Sequence, residues 1–233
     1  MRKLWQKVTS SIRRRGFLDT LKLSVRRAPE LPRYWSNYRY DAVHGTQTGG
    51  IVPLHEILDP EDPRANGYRY EPTGVATFRK LLASVSPPRD VGFVDYGCGR
   101  GRVLLMAAEY GFNRVTGVEF VPTLADAARA NLRTYRVRNA RVPRLEVLDL
   151  DAREFLPHDD DAVFYFYNPF EAEVLEAALE QITLSRRRRP RPVWVLYHNP
   201  KWRSVIDRNE TFRLTSEHRF ERYEVCVYEA RDQ

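Results

Sequence analysis

Along the middle of the chain the apolar positions alternate between two periods. VGFVD (91–95), NRVTGVE (113–119), LEVLDL (145–150), AVFYFY (162–167) and PVWVLYH (192–198) have the length and the β-branched and aromatic content of strands. Between them, GRVLLMAAEY (101–110), PTLADAARANLRTY (122–135) and EAEVLEAALEQITL (171–184) carry helical spacing, and Pro122 suits a first helical turn. A short helical turn is expected near Ala152–Phe155 and another helix over Thr77–Val85, stopped by Pro87-Pro88. FRLTSEHRF (212–220) and RYEVCVYEA (222–230) read as a closing antiparallel hairpin. Strands separated by helices of this length imply βαβ units. Near-continuous apolar runs such as AVFYFY imply strands covered on both faces. The pattern predicts an α/β fold: a doubly wound, mostly parallel seven-stranded sheet with a C-terminal antiparallel hairpin, preceded by a basic helical arm and a lid.

Pro29 to Pro63 is rich in Pro, Gly, Asn and Asp with scattered aromatics, and reads as irregular structure of the kind that serves as a lid. The expected division is a basic amphipathic arm over 1–33, a lid or extension over 34–86 and the α/β domain over 87–233. Charge supports the first boundary. Of a formal net charge of +7, residues 1–33 hold ten Lys/Arg against Asp19 and Glu30, which leaves the remainder close to neutral. Leu4, Trp5, Val8 and Ile12 share one helical face of that arm. Such a helix can contact an acidic partner or an anionic membrane surface, or pack on its own domain. Its Arg-rich, acid-poor character also resembles an organelle transit segment. RRRRPRP (186–192) reads as a solvated helix-to-strand connection. No apolar run reaches the ~20 residues that span a bilayer. Two cysteines, Cys98 and Cys226, exclude a disulfide scaffold or zinc knuckle and point to a reducing, cytoplasmic setting; no metal site is expected.

Candidate chemistry concentrates in VDYGCGRGR (94–102), between a strand and a helix. Gly97, Gly99 and Gly101 permit a tight turn and a close backbone approach to a ligand. The helix start behind them presents backbone N–H groups at the carboxyl end of a strand, where open α/β sheets bind ligands. The spacing G-x-G-x-G, with Asp95 just ahead, suits an ammonium-bearing ligand better than a pyrophosphate. Glu119 ends the next strand, where a carboxylate can accept both hydroxyls of a ribose, and Asp151 ends the third. NAD remains a competing ligand, because Glu119 serves its ribose equally well. These residues in this order resemble the class I (seven-stranded) S-adenosylmethionine-dependent methyltransferases over roughly residues 70–230. The resemblance implies that Asp95, Gly97, Gly99 and Gly101 contact the methionyl part of S-adenosyl-L-methionine, Glu119 its ribose and Asp151 its adenine, with Asp149 the alternative for the last role.

Two further motifs bear on the acceptor. Tyr70-Glu71-Pro72-Thr73 is similar to the Y-x-x-T segment of the non-SET protein-lysine methyltransferases, which implies that Tyr70 and Thr73 close over the cofactor. Asn168-Pro169-Phe170, at the end of the fourth strand, resembles the (Asn/Asp)-Pro-Pro-(Tyr/Phe) motif of class I enzymes that methylate nitrogen, with one proline missing. By that resemblance Asn168, Pro169 and Phe170 are the catalytic set. Their local reading is a helix start: Asn168 as N-cap, Pro169 as first helical residue and Glu171 at the capping-box position. The expected function is methyl transfer to a nitrogen, with a protein lysine or other amine favoured as acceptor. The alternatives are a small-molecule methyltransferase of the same fold and a non-catalytic binding module acting through the basic arm.

Overall fold

A computed structural model describes residues 31–58, 61, 69–138, 144–220 and 223–231. The basic arm expected over 1–33 therefore lies almost wholly outside the described residues. Helix α1 (Leu31–His44) precedes a small antiparallel pair, β1 (Val52–Pro53) and β2 (Arg69–Tyr70), then α2 (Val75–Val85). The main body follows as β3 (Gly92–Tyr96), α3 (Arg102–Tyr110), β4 (Arg114–Glu119), α4 (Pro122–Arg138), β5 (Arg144–Asp149), β6 (Asp161–Tyr167), α5 (Ala172–Arg188), β7 (Trp194–His198), the short α6 (Arg203–Asp207), β8 (Phe212–Phe220) and β9 (Tyr223–Ala230).

Seven strands form one sheet in the order β5-β4-β3-β6-β7-β9-β8. The first five pair in parallel, and β9 runs antiparallel to both β7 and β8. Strand order reverses between β3 and β6, the switch point at which such sheets open a crevice. The unbroken apolar run of β6 is explained by its two covered faces. Val163 and Tyr165 join the core under α2, α3 and α4, while Phe164 and Phe166 join the core under α5 and α6. Tyr96 stacks on Phe166 at 4.6 Å and 6° between planes, tying the two strands that flank the switch point. At the opposite end, Arg114 of β4 pairs with the fully buried Asp161 of β6 at 2.7 Å and also with Asp160.

The segment expected to be irregular contains a helix of 14 residues, α1. Its inward side is polar: Asn37, Tyr40, Asp41 and His44 recur at helical spacing, and little aliphatic patterning marks it. Asn37 Oδ1 accepts the first backbone N–H of α2, from Val75, at 3.2 Å. Pro32 falls in the first turn, where a missing N–H costs nothing. The arginine tract begins in a helix and only its second part is the largely exposed connection that the sequence suggested. Arg186, Arg187 and Arg188 form the last turn of α5, where cations suit the helix dipole. Arg186 donates to the carbonyl of Arg231, just after β9, and Arg191 to that of Asp161, at the start of β6, at 2.7 Å, so two of these guanidiniums tie the tract to the ends of two strands. Among the described residues no helix is long and apolar enough to cross a membrane.

Candidate active site

The glycine turn lies across the carboxyl end of β4. The N–H groups of Gly97 and Cys98 both donate to the carbonyl of Val118, at 2.8 and 3.1 Å. Gly97 (φ 72°) and Gly99 (φ 54°) take left-handed backbone that a side chain rarely adopts. A Cβ on Gly97 would lie 2.5 Å from Cβ of Pro169, and one on Gly99 would lie 2.3 Å from the ring of Tyr70. The turn is thus pressed between the Asn-Pro-Phe corner and the Y-x-x-T segment. Gly101 serves packing of a different kind, against Ala128 and Leu132 of α4.

A cavity of about 90 Å³ at this point is lined by Asp95, Gly97, Gly99, Glu119, Tyr70, Thr73, Asn168 and Pro169 among others. A second cavity of about 270 Å³, on the other side of Gly97 and Pro169, is walled by Val118, Phe120, Leu150, Asp151 and Phe170. Apart from Gly101, which lines neither cavity, the resemblance's residues are therefore brought together, with Phe170 on the Asp151 side. There it meets Tyr96 and Phe166 edge to face at 6.5 and 6.0 Å. Asp149 is exposed at the end of β5 and lines neither cavity, whereas Asp151 does line the second. Asp151 accepts from the backbone N–H and the guanidinium of Arg153, at 2.9 and 2.7 Å.

Burial sets the electrostatics. Asp95 is 3% exposed, and desolvation pushes its carboxyl well above the usual range, with the charge of Glu119 adding to the effect. Glu119 accepts the N–H of Gly99 at 2.8 Å and of Val121 at 3.0 Å. Desolvation raises its pKa to about 6 against the opposing pull of these backbone donors. Two desolvated carboxyls facing one cavity favour a ligand with a cationic group, which restores their charged forms.

Cover for the cavity comes from the N-terminal extension. Tyr70 donates its hydroxyl to the carbonyl of Thr48 at 2.6 Å, with the guanidinium of Arg100 5.4 Å from its ring centroid. Beneath them Arg102, 2% exposed, pairs with Asp41 of α1 at 3.2 Å and donates to Thr48 at 2.7 Å. Asp41 also accepts from the hydroxyls of Thr46 and Thr48, at 2.9 and 2.6 Å. Sequence reasoning missed this anchor because its members are spread over 41–102 and belong to no motif. Thr73 reaches inward to the hydroxyl of Tyr165 at 3.0 Å, which in turn meets Nδ1 of His198 at 2.8 Å.

Asn168 is not a helix cap. Helix α5 begins at Ala172 with Glu171 as its extended N-cap, which makes no side-chain cap bond. Asn168 instead sits at φ 41°, a conformation asparagine tolerates better than most residues, and this turns Pro169 onto Gly97. Its Oδ1 accepts from the hydroxyl of Tyr197 at 3.2 Å. Asn199, before Pro200 and after the neighbouring strand, has φ 53°, so Asn-Pro by itself marks a strand ending here.

Residues 93–187 match the family model described as a methyltransferase domain. The chain is 29% identical over 127 residues to a ribosomal protein L11 methyltransferase of Burkholderia thailandensis, covering 50% of this chain and 41% of the relative. It is 36% identical over 101 residues to the protein of the same name from Dechloromonas aromatica, covering 40% and 33%. The chain thus spans less than half the length of the curated relatives it matches. Among solved structures, an RNA methyltransferase from Salinibacter ruber in complex with S-adenosyl-L-homocysteine superposes with a TM-score of 0.52 at 18% identity, covering 70% of this chain and 95% of that one. A ribosomal protein L11 methylase from Lactobacillus delbrueckii subsp. bulgaricus gives 0.52 at 13%, covering 80% and 100%. Residues 93–187 thus match a methyltransferase domain, and the fold and the switch-point crevice with its glycine turn and acids agree with the resemblance to the class I, S-adenosylmethionine-dependent enzymes.

Proposed function

We propose that this chain transfers a methyl group from S-adenosyl-L-methionine to a nitrogen acceptor, an amine of the protein-lysine kind. The observation that carries the reading is one crevice in which the glycine turn, Asp95 and Glu119 adjoin Asn168 at the end of β6. The two cavities suit the cofactor's halves. Asp95 and the glycine turn would hold the methionyl part, Glu119 the ribose, and the apolar pocket with Asp151 the adenine. When bound there, S-adenosyl-L-methionine supplies a sulfonium-activated methyl, whose bond to sulfur breaks with the electron pair returning to sulfur. The chain's contribution is orientation, a term that reaches ~7–11 kcal/mol for well-aligned reactants. Tyr70, Thr73 and Pro169 close around the reacting centre, and Asn168 offers oxygen acceptors that turn an amine's hydrogens away from the methyl. An ammonium acceptor must first lose one proton to water.

That two named relatives methylate a ribosomal protein favours a protein acceptor. A small-molecule acceptor is the second reading, supported by the cover that Tyr70 and its anchored segment lay over the crevice. Calorimetry with S-adenosyl-L-methionine tests the cofactor site. Micromolar binding is expected for the wild-type protein, with a loss of at least tenfold in folded Asp95→Asn. Failure of the folded wild-type protein to bind would sink the reading. Mass spectrometry of protein and metabolite fractions after reaction with labelled cofactor separates the two acceptor classes.

Glu119 makes the site pH-dependent. Its ionised form is the better acceptor for ribose hydroxyls, so affinity for S-adenosyl-L-homocysteine should weaken below about pH 6, by up to roughly tenfold per unit. Stability runs the other way. Burial favours the neutral acid, so the contribution of Glu119 is present below pH ~4.5 and is lost as pH rises through about 6. Glu119→Gln should flatten the affinity profile while gaining stability relative to wild type at pH 8. An unchanged profile in the variant assigns the titration elsewhere.

A further inference from the structure

The acceptor side of the crevice carries a carboxylate and three rings that no motif marked. Glu71, between Tyr70 and Thr73, lines the same cavity as Asp95 and Asn168, and its side chain is 9% exposed. The hydroxyl of Tyr223, on β9, donates to Oε1 of Glu71 at 2.8 Å. Tyr223 stands edge to face with Tyr167 at 5.7 Å and with His198 at 5.3 Å. Tyr167, which also lines the cavity, stacks on His198 at 4.1 Å and 10° between planes. The buried imidazole thus fixes the orientation of one tyrosine ring while the carboxylate fixes the other.

A guanidinium already lies against this group. Arg69 donates through Nη2 and Nε to Oε2 of Glu71, at 2.8 and 3.2 Å. Its side chain is 57% exposed, against 9% for Glu71. A long, solvated cation resting on a nearly buried carboxylate at a cavity mouth can be replaced by another cation without leaving that carboxylate unpaired. A carboxylate framed by aromatic rings is the surrounding that attracts an ammonium or guanidinium.

We propose that Glu71, Tyr167 and Tyr223 form the acceptor subsite, that its substrate is a cationic side-chain amine, and that Arg69 occupies it as an intramolecular stand-in which the substrate displaces. The proposal rests on the methyltransferase reading above and adds the charge class of the acceptor and the residues that select it. Glu71 is the counter-ion; Tyr167 and Tyr223 hold the cation's aliphatic stem and exclude neutral or anionic groups. Asn168, on the far side of Tyr167 in the chain, meets the nitrogen at the methyl end. Nucleic-acid bases, neutral and carried on phosphates, are disfavoured by a carboxylate at the entrance.

The test uses the full chain, tritiated S-adenosyl-L-methionine, and a proteome digest cut after acidic residues, offered before and after lysine acetylation. Bulk RNA is a parallel arm. The wild-type protein should label the untreated digest and not the acetylated digest or the RNA. Glu71→Gln should lower the initial rate on the digest on the order of 10–100-fold, the loss expected for a charged hydrogen-bonding partner. Its affinity for S-adenosyl-L-homocysteine, measured by calorimetry, should stay within about twofold of wild type. Tyr223→Phe should lower the rate by a smaller factor. Arg69→Ala is the discriminating variant: removing the stand-in should raise the rate at sub-saturating digest several-fold, whereas a merely structural Arg69–Glu71 pair predicts a fall. Wild-type rates in Glu71→Gln, a fall in Arg69→Ala, equal labelling of the acetylated digest, or label confined to RNA each overturn the proposal. Absence of cofactor binding in the wild-type protein would instead remove the methyltransferase reading on which it rests.

Discussion

Replacing Gly99 by valine should lower affinity for S-adenosyl-L-homocysteine by at least about 100-fold, ~2.7 kcal/mol. The position has φ 54°, and a Cβ there would lie 2.3 Å from one ring carbon of Tyr70 and 2.4 Å from another. Real side chains do not approach so closely, so either the ring or the turn must move. The ring is held by its hydroxyl on the Thr48 carbonyl and by Arg100, and the turn by the bond from Gly99 N–H to Glu119. Either displacement opens the cavity on its methionyl side. A β-branched residue in left-handed backbone adds about 1–2 kcal/mol of strain, which should appear as a lower Tm. The pair Gly99→Ala and Gly99→Ala/Tyr70→Ala separates the two causes. If the clash dominates, removing the ring restores part of the affinity; if backbone strain dominates, it restores none. Wild-type binding by Gly99→Val would show that this turn does not meet the cofactor.

The largest loss of stability is expected from Arg102→Ala. Arg102 is 2% exposed and joins α3 to Asp41 of α1 and to Thr48. Truncation leaves the carboxylate of Asp41 among threonine hydroxyls without its cation. Breaking a buried pair from one side typically costs ~3–5 kcal/mol, or roughly 6–20 °C in Tm for a domain of this size. The effect should be regional first. Segment 45–50 reaches the domain through Arg100, Arg102 and Asn131, so limited proteolysis should cut there before the sheet unfolds. The double variant Arg102→Met/Asp41→Leu, which removes both charges, should recover much of the loss. A Tm change below about 2 °C in Arg102→Ala would mean that the pair contributes little and that the extension is held by other contacts.

The two variants address different joints of one device. Gly99 meets Tyr70 directly, and Arg102 sits beneath the segment that holds Tyr70 in place. Cofactor affinity should therefore fall in Arg102→Ala as well, through Tyr70, and Tyr70→Phe should reproduce part of that fall without the loss in Tm.

Local pattern alone determined the seven strands of the main sheet, four of the six helices in part or whole, and the order of the glycine turn with Asp95, Glu119 and Asp151. That is expected where burial is two-sided, because AVFYFY and PVWVLYH have no other stable environment than the middle of a covered sheet. The glycine spacing was equally legible, since left-handed backbone and close approach restrict a position to one residue type. What only the tertiary structure decided involves residues whose meaning depends on distant neighbours. Helix α1 turns Asn37, Asp41 and His44 inward, half-buried, and they read as loop residues until Val75, Arg102 and Glu109 are placed opposite them. Asn168 and Glu171 spell a helix start, yet the contact of Pro169 with Gly97 moves the first turn to Ala172. Glu71 and Tyr223, 152 positions apart in the chain, become a pair because β9 inserts antiparallel beside β7 and brings its first residue over the crevice. Hydrophobic periodicity reports how a segment is covered, whereas a hydrogen bond or an ion pair across the sheet depends on which strand end lies next to which, and topology alone sets that.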